Sequence, residues 1–371
     1  MSEMIVIDAL KECGIDLVAS LPCDRNKALT GMLPHHIRTV NLTREEDGVG
    51  ICAGTYLTGG RPAMSIQSSG IGNMLNAMMS LTSVYKMPLP ILASWRGTDD
   101  EPIEAQRPFN APLPKVMDAY GIHYDILRTG DDLHKVRDIV LKAYNENRIT
   151  VALIKPACWS NTKYETKFGE RSRASGLIHR RCIPEPTMTR FDAIRAVMDS
   201  VCDDDIVVSN IGVPSKEAFA AKDRPLNFYM LGSYTQATPI GLGMALKCDR
   251  RVVVLDGDGS MLGSSVLPVV AAENPQNLTI VCLDNGTFGS TGDQMTNAYG
   301  SVDMELVARS YGIHDTALVS DGDGISKQIM TRGSGPRFVH VMIRPGNSSS
   351  KNITMSAAEI KERFMTAANG R

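Results

Sequence analysis

Short apolar runs, rich in β-branched residues and broken by glycine or acidic turns, recur along the whole chain. Residues 15–20, 39–42, 61–67, 88–95 and 150–154 read as strands in the first half, and 206–209, 252–256, 278–284 and 338–343 in the second. Between them lie stretches with apolar positions at helical spacing: 3–14, 48–56, 74–85, 131–147, 187–201, 237–247 and 356–369. Strands of this length alternating with helices predict parallel sheets built from βαβ units, an α/β fold. Such sheets bind ligands beyond the C-terminal ends of their strands. Residues 161–186 lack apolar periodicity and end in Pro-Glu-Pro, which marks a linker between domains at 1–160 and 187–371. Residues 98–114 are polar, proline-bearing and long, as expected of a disordered segment or an active-site cover.

Composition narrows the function classes. A length of 371 residues suits two domains, and 43% hydrophobic with 22% charged residues is ordinary for a globular protein. The net charge of −2, without a basic run, gives no reason to expect a nucleic-acid or membrane partner. No apolar stretch approaches the roughly 18 residues needed to span a bilayer, and the N-terminus lacks the pattern of a signal peptide. Eight scattered cysteines with no CxxC argue against zinc and against a disulfide framework, so a cytoplasmic protein with free thiols is expected.

The strongest chemistry lies where the run 252–256 breaks into Gly257-Asp258-Gly259-Ser260, followed by a second strand ending at Asp284-Asn285. This is a βαβ unit with a carboxylate and an amide at adjacent strand ends. The glycines let a phosphate-bearing ligand approach the backbone, and the oxygens suit Mg²⁺, which fills its octahedron with phosphate and water. An EF-hand beginning at Asp256 fails, because its sixth position is Met261 and its twelfth Leu267. A phosphatase with an aspartyl nucleophile fits Asp256-Gly-Asp258-Gly-Ser260 locally. It leaves Asn285 without a task, and only 111 residues follow Ser260. A second GDG at 322–324 has no matching Asn and reads as a turn and helix N-cap.

In the first half, Arg25 and Lys27 stand at a helix start that suits either an anion or solvent. Three acids, Glu45-Glu46-Asp47, precede a glycine-rich helix and could simply complement its dipole.

Asn285 lies 27 positions beyond Asp258, and this GDG-to-Asn spacing resembles the signature of thiamin-diphosphate enzymes. The first member of their closing Asn pair is Asp284 here, while the ligating second member is intact. A strand-terminal Glu followed by small residues is similar to the other half of the same family. The resemblance thus covers nearly the full chain. It implies two thiamin-diphosphate-binding-fold domains, each a mostly parallel sheet flanked by helices: a pyrimidine-binding domain and a diphosphate-binding domain, with no middle domain. Segments 53–60, 67–81 and 94–97 resemble both sulfopyruvate and phosphonopyruvate decarboxylases, and 21–29 with 92–97 look more like the former, as a fusion of its two subunits.

The resemblance implies the following chemistry. The enzyme would be a lyase that decarboxylates 3-sulfopyruvate to sulfoacetaldehyde, in coenzyme M biosynthesis or sulfonate metabolism, with phosphonopyruvate as the alternative substrate. The cofactors would be thiamin diphosphate and Mg²⁺. Glu45, or Glu46 if the alignment slides by one, would contact the aminopyrimidine. Asp258, Asn285 and the Thr287 carbonyl would hold the metal, while Gly232, Ser233, Gly257, Gly259 and Ser260 would line the diphosphate pocket. Tyr234 stands where the family has an aliphatic or sulfur-containing prop for the bent cofactor. A 2-keto acid with a second anionic group needs further donors, for which Arg25, Lys27, Arg96, Asn73 and Ser290 are candidates. A homodimer or homotetramer is implied, with sites at subunit interfaces. A non-catalytic scaffold of the same fold would be expected to lack Glu45 or Asp258.

Overall fold

The computed structural model describes residues 1–98, 101, 103–160, 162, 184–289, 294–300, 302–331 and 333–370. The chain divides into two compact units, Met1–Thr166 and Lys167–Arg371. The first holds strands β1 Leu17–Ser20, β2 Arg38–Asn41, β3 Pro62–Gln67, β4 Leu89–Ser94, β5 His123–Leu127 and β6 Ile149–Ile154. They pair in the order β2-β1-β3-β4-β6-β5, every pair parallel. The second unit contributes β7 Ile206–Ser209, β8 Asn227–Tyr229, β9 Val252–Gly257 and β10 Leu278–Asp284. A two-stranded ribbon, β11 Thr287–Phe288 with β12 Gln294–Met295, precedes β13 Asp315–Val319 and β14 Arg337–Met342. Its main sheet runs β13-β14-β10-β9-β7-β8, again all parallel. Ignoring the ribbon, the two sheets share one strand order.

Burial explains why these segments are strands. All six residues of β4 and of β6, and all seven of β10, are buried, as expected where helices cover both faces of a parallel sheet. Edge strands β2 and β13 are only partly covered. The glycine-rich helix is longer than its small-residue core suggested, running Glu45–Leu57, with eleven of its residues buried. The helix expected at 74–85 instead begins at Gly70 and passes into a π-turn at Met78–Ser83. Two glycines depress intrinsic helix propensity at its start, but close packing of Gly70 against Glu45 and of Gly72 against Phe109 overrides it.

The described part of 98–114 is folded rather than open loop. A 3₁₀ turn at Glu104–Gln106 leads into the short helices Arg107–Asn110 and Leu113–Ala119. Asn110 ties this segment to the strand ends. Its carbonyl accepts from Trp95 Nε1 at 3.2 Å, and its side-chain oxygen accepts from Ser68 Oγ. The second GDG is a cap, as expected: Asp321 accepts from the Gly324 N–H at 2.7 Å and starts the helix Gly322–Met330. Most of 161–186 lies outside the described residues. Among the described residues, no helix is long and apolar enough to cross a membrane, and every cysteine is free.

Candidate active site

In the second unit, the parallel register sets Leu283 opposite Gly257, so Asp258 and Asp284-Asn285 emerge side by side from β9 and β10. Asp258 and Asn285 are both buried. Burial pushes the Asp258 carboxyl up to about 6, against a hydrogen bond from Thr296 Oγ1, and the charge of Asp284 adds to the rise. Asn285 Oδ1 accepts from the Thr287 N–H at 3.1 Å, which turns the chain back so that 285–287 form one compact bend. Asp256 faces the interior instead. It accepts from Asn210 Nδ2, the Gly257 N–H and Thr238 Oγ1 at 2.7–2.9 Å. Buried and surrounded by donors, it holds three segments together and has no open approach for a phosphoryl group.

The loop after β8 reaches the same turn. Tyr234 donates its hydroxyl to the Gly259 carbonyl while much of its ring stays exposed. Its neighbours Ser233 and Thr235 have φ of 71° and 73°, left-handed conformations that cost of order 1–3 kcal/mol each in non-glycine residues. Ser233 Oγ is buried with no hydrogen-bond partner. A strained loop presenting an unsatisfied hydroxyl beside a glycine turn fits a diphosphate. Among the described residues no group of three His, Cys, Asp or Glu is placed to hold a metal ion by itself, so a cation here would rely on Asp258, the Asn285 amide, the Thr287 carbonyl and phosphate oxygens. That donor set suits Mg²⁺ and not zinc.

Asp284 stands where the family resemblance leads one to expect an amide, and its surroundings show how a carboxylate is accommodated there. His340 on β14 is fully buried, and its Nε2 lies 2.8 Å from Asp284 Oδ2; its Nδ1 lies 3.5 Å from Asp303 Oδ1. Burial alone would lower the imidazole pKa, but hydrogen bonds to the two carboxylates outweigh it and the net shift is upward. The buried ring thus gives the Asp284 carboxylate, beside Asp258, a hydrogen-bonding partner on β14. Sequence reading missed His340, Asp303 and Thr296. The only signal was a polar His inside an otherwise apolar strand.

In the first unit, Glu45 is the first residue of its helix and is 7% exposed. Asn73 Nδ2 donates to Glu45 Oε2 at 3.0 Å, so Asn73 sits with the glutamate. Glu46 points away and is less buried, 3.4 Å from Arg44. Arg96, after β4, is buried and fully engaged: Nε and Nη2 donate to Glu101 at 2.6 and 2.8 Å, and Nη1 reaches Gln67 at 3.4 Å. Arg96 holds the Glu101 carboxyl down at about 2. Arg25 lies 3.9 Å from the same carboxylate and lines, with Lys155, Trp95 and Glu101, a cavity of about 200 Å³. Lys27 is exposed at its helix start, and Ser290 lies outside the described residues.

Comparison with known proteins agrees with this geometry. Residues 3–118 match the family described as thiamine pyrophosphate enzyme, N-terminal TPP binding domain, and 212–341 match its C-terminal TPP binding domain. The chain is 43% identical to sulfopyruvate decarboxylase of Methanosarcina acetivorans, covering 97% of this chain and 95% of the relative. It is 30% identical to phosphonopyruvate decarboxylase of Streptomyces viridochromogenes, covering 97% and 93%. Among solved structures, the thiamine diphosphate-dependent 4-hydroxybenzoylformate decarboxylase of Rhodococcus jostii superposes with a TM-score of 0.71 over 94% of this chain and 100% of that one. At 13% identity it speaks for the fold alone.

Proposed function

The chain belongs to the thiamin-diphosphate-dependent 2-keto acid decarboxylases, and from that premise we propose that it converts 3-sulfopyruvate to sulfoacetaldehyde and carbon dioxide with Mg²⁺ as its metal. The observation that carries the substrate is the 43% identity to a sulfopyruvate decarboxylase along almost the whole chain, against 30% to a phosphonopyruvate decarboxylase.

Bound thiamin diphosphate supplies a nucleophilic carbon and an electron sink for the carboxylate carbon–carbon bond. The chain's own residues bind and orient it. Glu45 presents a carboxyl to the aminopyrimidine, and Asn73 fixes one of its oxygens so that the other is free to face a ring nitrogen. Asp258, Asn285 and the Thr287 carbonyl hold Mg²⁺. Ser233 and Ser260, with the backbone at Gly232, Gly257 and Gly259, receive the diphosphate, and the Tyr234 ring props the cofactor from the strained loop. Arg25 supplies positive charge for the sulfonate, with Lys27 as a further donor, while Arg96 is committed to Glu101. The family layout further implies a homodimer or homotetramer, which light scattering would measure, and the free thiols favour a cytoplasmic location.

The test follows carbon dioxide release from 3-sulfopyruvate and phosphonopyruvate in parallel, with and without thiamin diphosphate and Mg²⁺. Cofactor-dependent release that favours the sulfonate is expected. A preference for the phosphonate would overturn the substrate, and no release from either would overturn the activity.

A further inference from the structure

The cavity beside Arg25 contains a charge that the reaction itself does not require. Sulfonates and phosphonates are both tetrahedral with three oxygens, so shape discriminates poorly between them. Charge does better: a sulfonate carries one negative charge throughout, while a phosphonate loses its second proton near neutrality. Around the cavity stand Arg25 and Lys155, with Lys155 Nζ 5.7 Å from the centre of the Trp95 ring. In the same wall is Glu101, a carboxylate whose charge cancels that of Arg96.

Glu101 is a fixed charge. Its two oxygens accept from Arg96 Nε and Nη2 at 2.6 and 2.8 Å, and from the N–H groups of Gly97 and Ile103 at 3.4 and 3.3 Å. Its carbonyl oxygen accepts from Arg107 Nε and Nη2 at 3.1 and 2.6 Å. Arg96 spends its charge on this carboxylate, so the wall is less positive than its arginines alone would make it. The cluster is continuous with Glu45: Gln67 touches Arg96 and also Ser69, which precedes the Gly70 that packs against Glu45.

We propose that Glu101 is a specificity-determining residue, whose fixed charge in this wall admits a singly charged sulfonate and disfavours a doubly charged phosphonate. This rests on the substrate reading above and deepens it. The device is a withheld positive charge: Glu101 neutralises Arg96, so the wall leaves the second negative charge of a phosphonate without a partner, and an unpaired charge taken out of solvent is costly.

The experiment measures kcat/KM for 3-sulfopyruvate and phosphonopyruvate on the holoenzyme from mildly acidic to mildly alkaline pH, for the native chain, Glu101→Gln and Glu101→Asp. The native preference for the sulfonate should shrink as the pH falls and the phosphonate takes up its second proton. Glu101→Gln should cut that preference about tenfold and flatten its pH dependence, because Arg96 is then uncompensated. Glu101→Asp should retain both. Equal loss on the two substrates, with the ratio and its pH dependence unchanged, would show Glu101 to be a tether only and overturn the proposal. If Glu101→Gln does not fold, a native preference that is constant with pH overturns it equally. Absence of release from either substrate by the native enzyme would instead sink the functional reading.

Discussion

Replacing Gly70 by Ala adds one methyl group at the point where the first unit holds its glutamate. A Cβ built there falls 2.5 Å from Glu45 Oε1, 2.6 Å from its Cγ and 2.7 Å from its Cδ. Ordinary contact begins near 3.4 Å, so the carboxyl must retreat by about 0.9 Å. The backbone does not object, because Gly70 opens a helix and has no positive φ. Alanine there should favour the helix by about 0.5–1 kcal/mol. The substitution therefore separates folding from chemistry. A misplacement near 1 Å in a catalytic constellation costs on the order of 10²-fold. Gly70→Ala should lower kcat for carbon dioxide release about that much at saturating cofactor, with an unchanged circular dichroism spectrum and melting temperature. Glu45→Gln should lower it further. A Gly70→Ala enzyme with native kcat would refute the placement of Glu45, since no rotamer of that side chain could then be critical.

Three further outcomes follow from the same geometry. Asp258→Asn should weaken Mg²⁺-dependent thiamin diphosphate binding by at least about 10²-fold in a calorimetric titration, whereas Asp256→Asn should act first on stability by loosening Asn210 and Thr238; the reverse ranking would revive a phosphatase-like site. His340→Gln removes the buried ring that bridges Asp284 and the half-buried Asp303 and should cost about 3–5 kcal/mol in urea denaturation, and a loss under 1 kcal/mol would refute that bridge. For Glu101, the folded carboxyl titrates near 2 against an ordinary value of 4.5. Its stabilisation is complete above the ordinary value and fades as the pH falls toward the folded one. Acid denaturation of Glu101→Gln should consequently be flatter over that interval, and a parallel curve would deny the pair its role.

What could be read from the sequence, and what could not, divides along physical lines. Asp258 and Asn285 stood out as candidates because they end adjacent strands of one βαβ unit at the spacing of the family resemblance. Glu45 stood out because the small residues that follow it resemble the other half of that family. The partners that make these groups work lie far away in the chain. Asn73 and Gly70 come from the next helix, Thr296 from the residue just after the ribbon and His340 from β14, 56 residues beyond Asp284. No periodicity signals a contact made only after the sheet has formed. Arg96 shows the opposite case. It was selected as a cation for the substrate, yet Glu101, only five residues on, occupies its guanidinium. That spacing belongs to neither helix nor strand, so only the folded path of the segment reveals the pair. Glu101, Gln106 and Asn110 looked like loop because their partners are strand ends and not solvent.

The two sheets share one strand order, and in each the order reverses beside the strand that opens the unit, between β1 and β3 and between β7 and β9. A crevice for ligands is expected at that place in both. The residues that leave those strands differ completely. The first unit presents Arg25, Gln67 and Gly70, with Glu45 packed against the glycine; the second presents Asn210 and Asp258, with Asn285 one strand further on. One crevice thus offers a carboxyl and a guanidinium, which suit a heterocycle and an organic anion. The other offers a carboxylate, amides and hydroxyls, which suit a cation and its phosphates. Since the scaffold is common to both, fold alone could not have assigned either task. The assignment comes from the few residues that follow each strand, which is why a single methyl at Gly70 should be more damaging to activity than far larger changes within the strands' own apolar runs.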